Sequence, residues 1–194
     1  TVGLVATSSR VSTERIAECV KCMEDMGYKV KTAANLDTVY AGFMAGTGKE
    51  RADELNKMFA DPEVDAILCV RGGDGSSRIM EYLDYEVIKN NPKVFVGYSD
   101  VTNLHTALTK KCDLVTFHGP MVSSNMVDDF DEETKASFFE AINAEGEYEF
   151  KNPEGFPIEV LKEGKATGRL IGGNLSLLSA GIGTPFQIDA KDAI

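Results

Sequence analysis

Three short stretches of this 194-residue chain carry residue types able to do chemistry. Gly97-Tyr98-Ser99-Asp100 follows the apolar run Val94-Phe95-Val96 and precedes a helical pattern with Val101, Leu104 and Leu108 on one side. A serine at such a strand-to-helix corner is lifted off the sheet edge, which is the geometry of a nucleophile elbow. Exposed amides at the helix start could stabilise an oxyanion. Val101 stands where the second glycine of G-x-S-x-G would be, and a helix-capping serine fits the same local pattern. The second stretch is Arg71-Gly72-Gly73-Asp74-Gly75-Ser76-Ser77, after the apolar run 66–70. A glycine-rich corner between a buried strand and a helix can bring amides close to a bound anion; a tight turn without ligand is the alternative. Arg71 either meets a substrate carboxylate as a bidentate donor or rigidifies the loop through a salt bridge. The third stretch is His118-Gly119-Pro120, after the apolar residues 114–117.

A serine hydroxyl is a weak nucleophile and needs a base within hydrogen-bond reach. His105 and His118 are the two histidines of the chain. Six residues of helix separate His105 from Ser99, roughly 9 Å along the axis, so His105 is a poor base. His118 is better placed, at a neighbouring strand end, and reads as a pocket wall, a substrate contact or a structural hydrogen bond. Adjacent side chains at a helix start diverge, so Asp100 is expected to cap or position the loop.

These corners need a scaffold. Residues 2–6 read as a first strand, and Ser12 or Thr13 caps a helix carrying Ile16, Cys19, Val20 and Met23, which ends at Gly27. Residues 28–30 form a second, short strand. Thr47 with Glu50 makes a capping box for a helix burying Ala52, Leu55, Met58 and Phe59. Strands at 66–70, 94–96 and 114–117 follow. The strand-helix-strand order predicts an α/β fold: a mostly parallel sheet with helices on both faces, flavodoxin- or Rossmann-like. Such sheets bind ligands at the carboxyl ends of their strands, where residues 71–75, 97–100 and 118–120 converge on one crevice.

The acidic run 128–133 suits the start of a helix over 131–143. Composition shifts at 144–157, where glycine, proline and charge suggest a boundary. Strand-like pieces at 158–160 and 168–171 and a brief helix at 175–180 come after it. The expected division is an N-terminal α/β domain over 1–150, carrying the elbow, and a linker with the incomplete start of a second domain over 151–194.

Hydrophobic residues make up 43% of the chain, enough for a sizeable core. The net charge of −11 repels phosphate backbones and argues against nucleic-acid binding, while leaving room for a small anion in a local pocket. Cys19 and Cys22 form a C-x-x-C, but both fall in a helical apolar pattern and read as packing residues. No apolar run is long enough to span a membrane and no charged-then-apolar leader is visible; a cytoplasmic protein is expected. Exposed apolar surface near the end of the chain would favour a homodimer.

The combination resembles the muramoyl-tetrapeptide LD-carboxypeptidases, which share a serine-peptidase family with the microcin C self-immunity proteins. The resemblance rests on Arg71-Gly72-Gly73 with Gly75 and Ser76, Asn91-Pro92-Lys93, Gly97-Tyr98-Ser99-Asp100-Val101-Thr102 with Leu104, Phe117-His118-Gly119-Pro120-Met121, and Gly168 with Gly172-Gly173-Asn174-Leu175. It implies an N-terminal α/β domain and a smaller C-terminal domain. It further implies Ser99 as nucleophile and the amides of Asp100 and Gly73 as the oxyanion hole; Arg71, Gly72, Asp74 and His118, placed at the same crevice by the chain itself, are the candidates for substrate contact. No metal or organic cofactor is implied. The implied reaction removes the terminal D-amino acid from a peptidoglycan-derived tetrapeptide; the microcin branch cuts an acyl bond in an aminoacyl-nucleotide toxin. The family's basic histidine and its orienting glutamate come from the C-terminal domain, beyond Ile194, so this chain alone is expected to be nearly inactive. Asp74 stands where many relatives carry an aromatic residue. Two other readings stay open: a kinase using Gly72-Gly73-Asp74-Gly75 as a nucleotide loop, similar to NAD kinases and diacylglycerol kinases, and a ligand-binding domain without chemistry.

Overall fold

The computed structural model describes residues 1–147, 149–152 and 155–194. Five parallel strands form one sheet: β1 (Val2–Val5), β2 (Val30–Thr32), β3 (Ala66–Cys69), β4 (Val94–Gly97) and β5 (Phe117–His118), in the order β2-β1-β3-β4-β5. This is the doubly wound, flavodoxin-like order, with a topological switch between β1 and β3. Crossovers are right-handed in such sheets. The leftward step through α1 (Thr13–Asp25) therefore lies on one face. The rightward steps through α2 (Gly48–Ala60), α3 (Tyr85–Asn90) and α4 (Thr102–Cys112) lie on the other. Both faces are covered, so the central strands read as unbroken apolar runs. Leu4, Ile67, Phe95 and Val96 have no exposed surface, and Phe59 of α2 stacks on Phe95 at 6.1 Å.

The helix signals hold at atomic detail. Ser12 caps α1 by accepting from the Arg15 amide, and Thr47 with Glu50 closes the expected capping box on α2. Asn91-Pro92-Lys93 has a structural use for its lysine: Lys93 Nζ donates to the carbonyls of Asp61 and Val64, where α2 ends. Asp131 caps α5 (Glu132–Ile142), and Asn174 caps α6 (Leu175–Ala180).

Several boundaries differ from expectation. The second strand begins at Val30, not Tyr28, because the Tyr28 amide returns to Met23 O and the Gly27 amide to Glu24 O. That pair of bonds, with Gly27 at φ 91°, is a Schellman closure. The last strand is only Phe117–His118, because Asp113 turns left-handed at φ 54° and the Leu114 amide folds back to Leu108 O. Residues 76–82 form a 3₁₀ helix. The strand-like pieces at 158–160 and 168–171 are not strands; a single bridge joins Arg169 to Ala193. A lone strand without a paired neighbour has nothing to satisfy its backbone. Of the boundary stretch 144–157, Tyr148, Pro153 and Glu154 lie outside the described residues.

None of the described residues beyond 147 is buried. This tail nevertheless docks on the face of α3 and α4. The Asn174 amide donates to Thr102 Oγ1 at 3.0 Å, Lys110 Nζ donates to Gln187 O, and Tyr85 lies 6.3 Å from Phe186. A methyl on Gly173 would come within 2.4 Å of Thr102 Cγ2. The two motifs Gly172-Gly173-Asn174 and Asp100-Val101-Thr102 are thus in direct contact.

Val101 in place of a second glycine is accommodated by Gly97. A methyl on Gly97 would lie 2.9–3.1 Å from three carbons of the Val101 side chain. Gly97→Ala should therefore cost about 1–3 kcal/mol by overpacking. Val101→Ala should cost less in the Gly97→Ala background than alone, because it removes the clash. Urea denaturation of the four proteins of this double-mutant cycle checks it; strictly additive losses would refute the account.

Candidate active site

Four strand ends meet at the carboxyl edge of the sheet. β1 runs into Thr7-Ser8-Ser9, β3 into Arg71-Gly72-Gly73, β4 into Tyr98-Ser99-Asp100, and β5 ends at His118. The chain leaves β4 fully extended at Tyr98, then reverses at Ser99 with φ 59°. A left-handed backbone costs an L-residue about 1–2 kcal/mol, and residues held there cluster at functional sites. A 3₁₀ turn, Ser99–Val101, leads directly into α4.

Ser99 is half-buried and faces the glycine loop. A methyl placed on Gly72 would lie 3.3 Å from Ser99 Cβ, 3.5 Å from its Oγ and 3.6 Å from the Asp100 amide nitrogen. Hydroxyl and amide therefore open onto the same space, over the peptide joining Gly72 to Gly73. Gly73, at φ 142°, lies against Ser9: a methyl there would fall 2.0 Å from Ser9 Oγ. The Ser9 amide also donates to Gly72 O. Gly72, Gly73, Ser99 and Asp100 are thus brought together. Arg71 and Asp74 are exposed. His118 is exposed and stacks on Tyr98 at 6.1 Å and on His105 at 6.0 Å.

The Asp100 side chain turns inward and is 4% exposed. Its carboxylate accepts from Ser8 Oγ and, at 2.8 Å, from the Ser76 amide. Its carbonyl accepts from Ser76 Oγ, and Asn103 Nδ2 donates to Ser76 Oγ at 3.0 Å. The expected loop-positioning role is the one the geometry gives it. Nearby, Arg51 is 1% exposed. It donates to the carbonyls of Thr7, Gly75 and Gly46, tying the β1 exit, the glycine loop and the start of α2 into one block. Burial lowers the Arg51 pKa from its ordinary value, and the nearby charge of Asp100 opposes that shift. Sequence reasoning missed Arg51, Ser8 and Asn103. Arg51 did leave a signal: a cation one turn before Leu55, inside the apolar stripe of α2.

His105 is buried and held at both ring nitrogens. Nε2 lies 2.8 Å from Gly97 O, and Nδ1 lies 2.8 Å from Thr116 Oγ1. A carbonyl can only accept, so Nε2 carries the proton and Nδ1 accepts from threonine. Burial pushes its pKa down to about 4, against the Gly97 hydrogen bond and with the help of His118. Among the described residues, neither imidazole hydrogen-bonds to Ser99. No group of three or more His, Cys, Asp or Glu among them is placed to hold a metal ion, and no helix among them is long and apolar enough to cross a membrane. Cys19 is buried and Cys22 half-buried, both free thiols raised in pKa by burial.

Residues 2–119 match the N-terminal domain family of the LD-carboxypeptidases. A probable murein peptide carboxypeptidase of Bacillus subtilis (strain 168) is 42% identical over 193 residues, covering 98% of this chain and 59% of that protein. The microcin C7 self-immunity protein MccF of Escherichia coli is 29% identical over 92% of this chain and 60% of its own length. Among solved structures, MccF in complex with aspartyl sulfamoyl adenosine superposes with a TM-score of 0.85 at 25% identity, over 99% of this chain and 66% of that one. A muramoyltetrapeptide carboxypeptidase from Oxalobacter formigenes gives 0.79 at 28% identity, over 97% and 62%. The chain therefore spans about three-fifths of the length of the curated relatives it matches.

The neutral, doubly bonded His105 makes stability depend on pH. Its folded pKa of about 4 lies below the unfolded value of 6.5, so the unfolded chain binds the extra proton first. The contribution is complete above pH 6.5 and is lost as pH falls towards 4, roughly 3 kcal/mol in all. Replacing His105 with Asn should remove this component. Unfolding free energies at pH 7 and pH 4.5 should converge between the two proteins, and an unchanged gap would rule the assignment out.

Proposed function

This chain belongs to the LD-carboxypeptidase family, and from that premise we propose that it carries the nucleophile of a serine carboxypeptidase acting on peptidoglycan-derived tetrapeptides. Ser99 Oγ attacks the carbonyl of the terminal L,D-peptide bond. The tetrahedral oxyanion is held by the amides of Asp100 and Gly73, the terminal D-amino acid leaves with the proton taken from serine, and water then cleaves the acyl ester and restores Ser99. Peptide or muropeptide is the substrate; no metal or organic cofactor enters the chemistry. The observation that carries the reading is the left-handed Ser99, whose hydroxyl and following amide open onto the Gly72–Gly73 peptide. Gly72 has no side chain to fill that space. The 42% identity to a probable murein peptide carboxypeptidase supports the substrate class.

His105 is ill suited to take the proton: its pKa of about 4 makes it a weak base, and it is enclosed and engaged at both nitrogens. The general base is assigned to a histidine outside these 194 residues, oriented by a glutamate. Residues 1–150 are the α/β domain with the elbow, and 151–194 open a second domain. The protein works in the cytoplasm, with a homodimer as the assembly to test. A second reading, hydrolysis of an aminoacyl-nucleotide conjugate, is supported by the superposition on MccF, solved in complex with aspartyl sulfamoyl adenosine.

Release of D-alanine from a tetrapeptide is the test. In the full-length protein, Ser99→Ala should lower kcat/KM by at least about a thousandfold. The 194-residue chain alone should run about 10²–10⁴-fold slower than the full-length protein, the usual contribution of a general base. Full activity of the Ser99→Ala protein would end the proposal. Turnover of an aspartyl-adenylate analogue in preference to the peptide would favour the second reading.

A further inference from the structure

A crevice of about 730 Å³ opens beside the elbow, lined by Ser9, Arg10, Arg15, Phe43, Arg71 and Ser123 among others. Ser9–Arg10 follows β1 and Arg71 follows β3, so the crevice lies at the topological switch of the sheet, where doubly wound folds receive ligands. Ser99 does not line it. It stands at the edge, in contact range of Gly72, the residue next to Arg71.

The charge in this crevice runs against the rest of the molecule. Acidic residues outnumber basic ones 31 to 20, yet the lining holds three arginines and no carboxylate. Arg15 is already neutralised, paired with Glu18 and Asp128, and its guanidinium also holds Ser123 through Oγ and carbonyl. Arg10 and Arg71 have no ion-pair partner among the described residues. Two arginines without an ion-pair partner among the described residues therefore line one crevice of a protein of net charge −11, and their charges attract an anion to it.

The walls are fixed in place. The Arg10 amide donates to Phe43 O, the Val11 amide to Leu36 O, and the Ser123 amide to Val70 O. Phe43 belongs to a tight hairpin closed by paired bonds between Tyr40 and Met44. It remains 43% exposed, beside Tyr40 at 46%, and gives the crevice an aromatic flank. The backbone of Arg10 is thereby anchored, and Phe43 sets an apolar surface beside it.

We propose that Arg10 and Arg71 form an anion subsite at the β1–β3 switch, which grips an oxyanion group of the substrate while the bond to be cut lies over Ser99. The ligand chemistry is a carboxylate or phosphate on a body with an apolar or planar part that rests against Phe43. Only the link to the cut bond rests on the nucleophile reading; the anion site itself does not.

The test reads binding, not turnover. A tetrapeptide ending in D-alanine, with its carboxylates free, is titrated calorimetrically into Ser99→Ala protein. The same peptide with its carboxylates amidated, and adenosine monophosphate, are titrated in parallel. Arg71→Gln and Arg10→Gln should each weaken the free peptide about tenfold or more, as expected for a charge-assisted hydrogen bond. The amidated peptide should bind more weakly to the parent and be indifferent to both substitutions. Arginine dependence for adenosine monophosphate alone would keep the subsite and identify its anion as phosphate. Lys49→Gln, an exposed charge paired with Asp53 on α2, should change nothing. Equal binding of every probe to parent and arginine variants would overturn the proposal, as would an equal loss from Lys49→Gln. A failed Ser99 reading would appear separately, as arginine-dependent binding without Ser99-dependent turnover of the tetrapeptide in the full-length protein.

Discussion

The buried carboxylate of Asp100 is the contact on which the catalytic edge depends. It sits one residue after Ser99, yet faces away from it, into hydrogen bonds from Ser8 and Ser76. Those two donors come from the exits of β1 and β3, while Asp100 itself comes from the exit of β4. One side chain thus sets the spacing of three loops that share no backbone ladder beyond the strands. A buried carboxylate is tolerated only when its oxygens are fully bonded. Arg51 meets the same demand from the other side, donating to three carbonyls where water cannot reach. The negative charge of Asp100 favours the buried Arg51 cation through space, while each group is satisfied by its own neutral partners.

His105 performs a comparable task one layer below. Its ring bonds Gly97 O, the last carbonyl of β4, and Thr116, just ahead of β5. It therefore ties the strand that launches the elbow to the strand beside it. A histidine near a serine invites a catalytic reading, but burial and paired nitrogens make this one a neutral linker. The crevice at the switch point is lined instead by arginines, on a protein that is acidic overall.

Much of this was legible in the chain. Apolar runs at 2–6, 66–70 and 94–96 located the three central strands, because strands covered on both faces read as apolar; the edge strands Val30–Thr32 and Phe117–His118 are polar or short and were bounded less closely. Ser12 and Thr47 with Glu50 announced their helices through capping chemistry. The convergence of residues 71–75 and 97–100 followed from parallel order alone, since every strand of such a sheet exits at the same edge. What was hidden depends on distance in sequence. Ser8 and Asp100 are 92 residues apart, and nothing local marks either as the partner of the other. The stretches 158–160 and 168–171 look strand-like, but the first joins no ladder and the second makes only the bridge of Arg169 to Ala193. Tyr28 and Leu114 look like strand residues and are spent instead on closing helices.

The backbone at Ser99 has one more implication. A glycine there would relax the left-handed turn and remove the hydroxyl in a single step, so the fold would gain where the chemistry would be lost. Thermal robustness and reactivity pull this position in opposite directions. A screen that rewards heat tolerance alone would erode the elbow first.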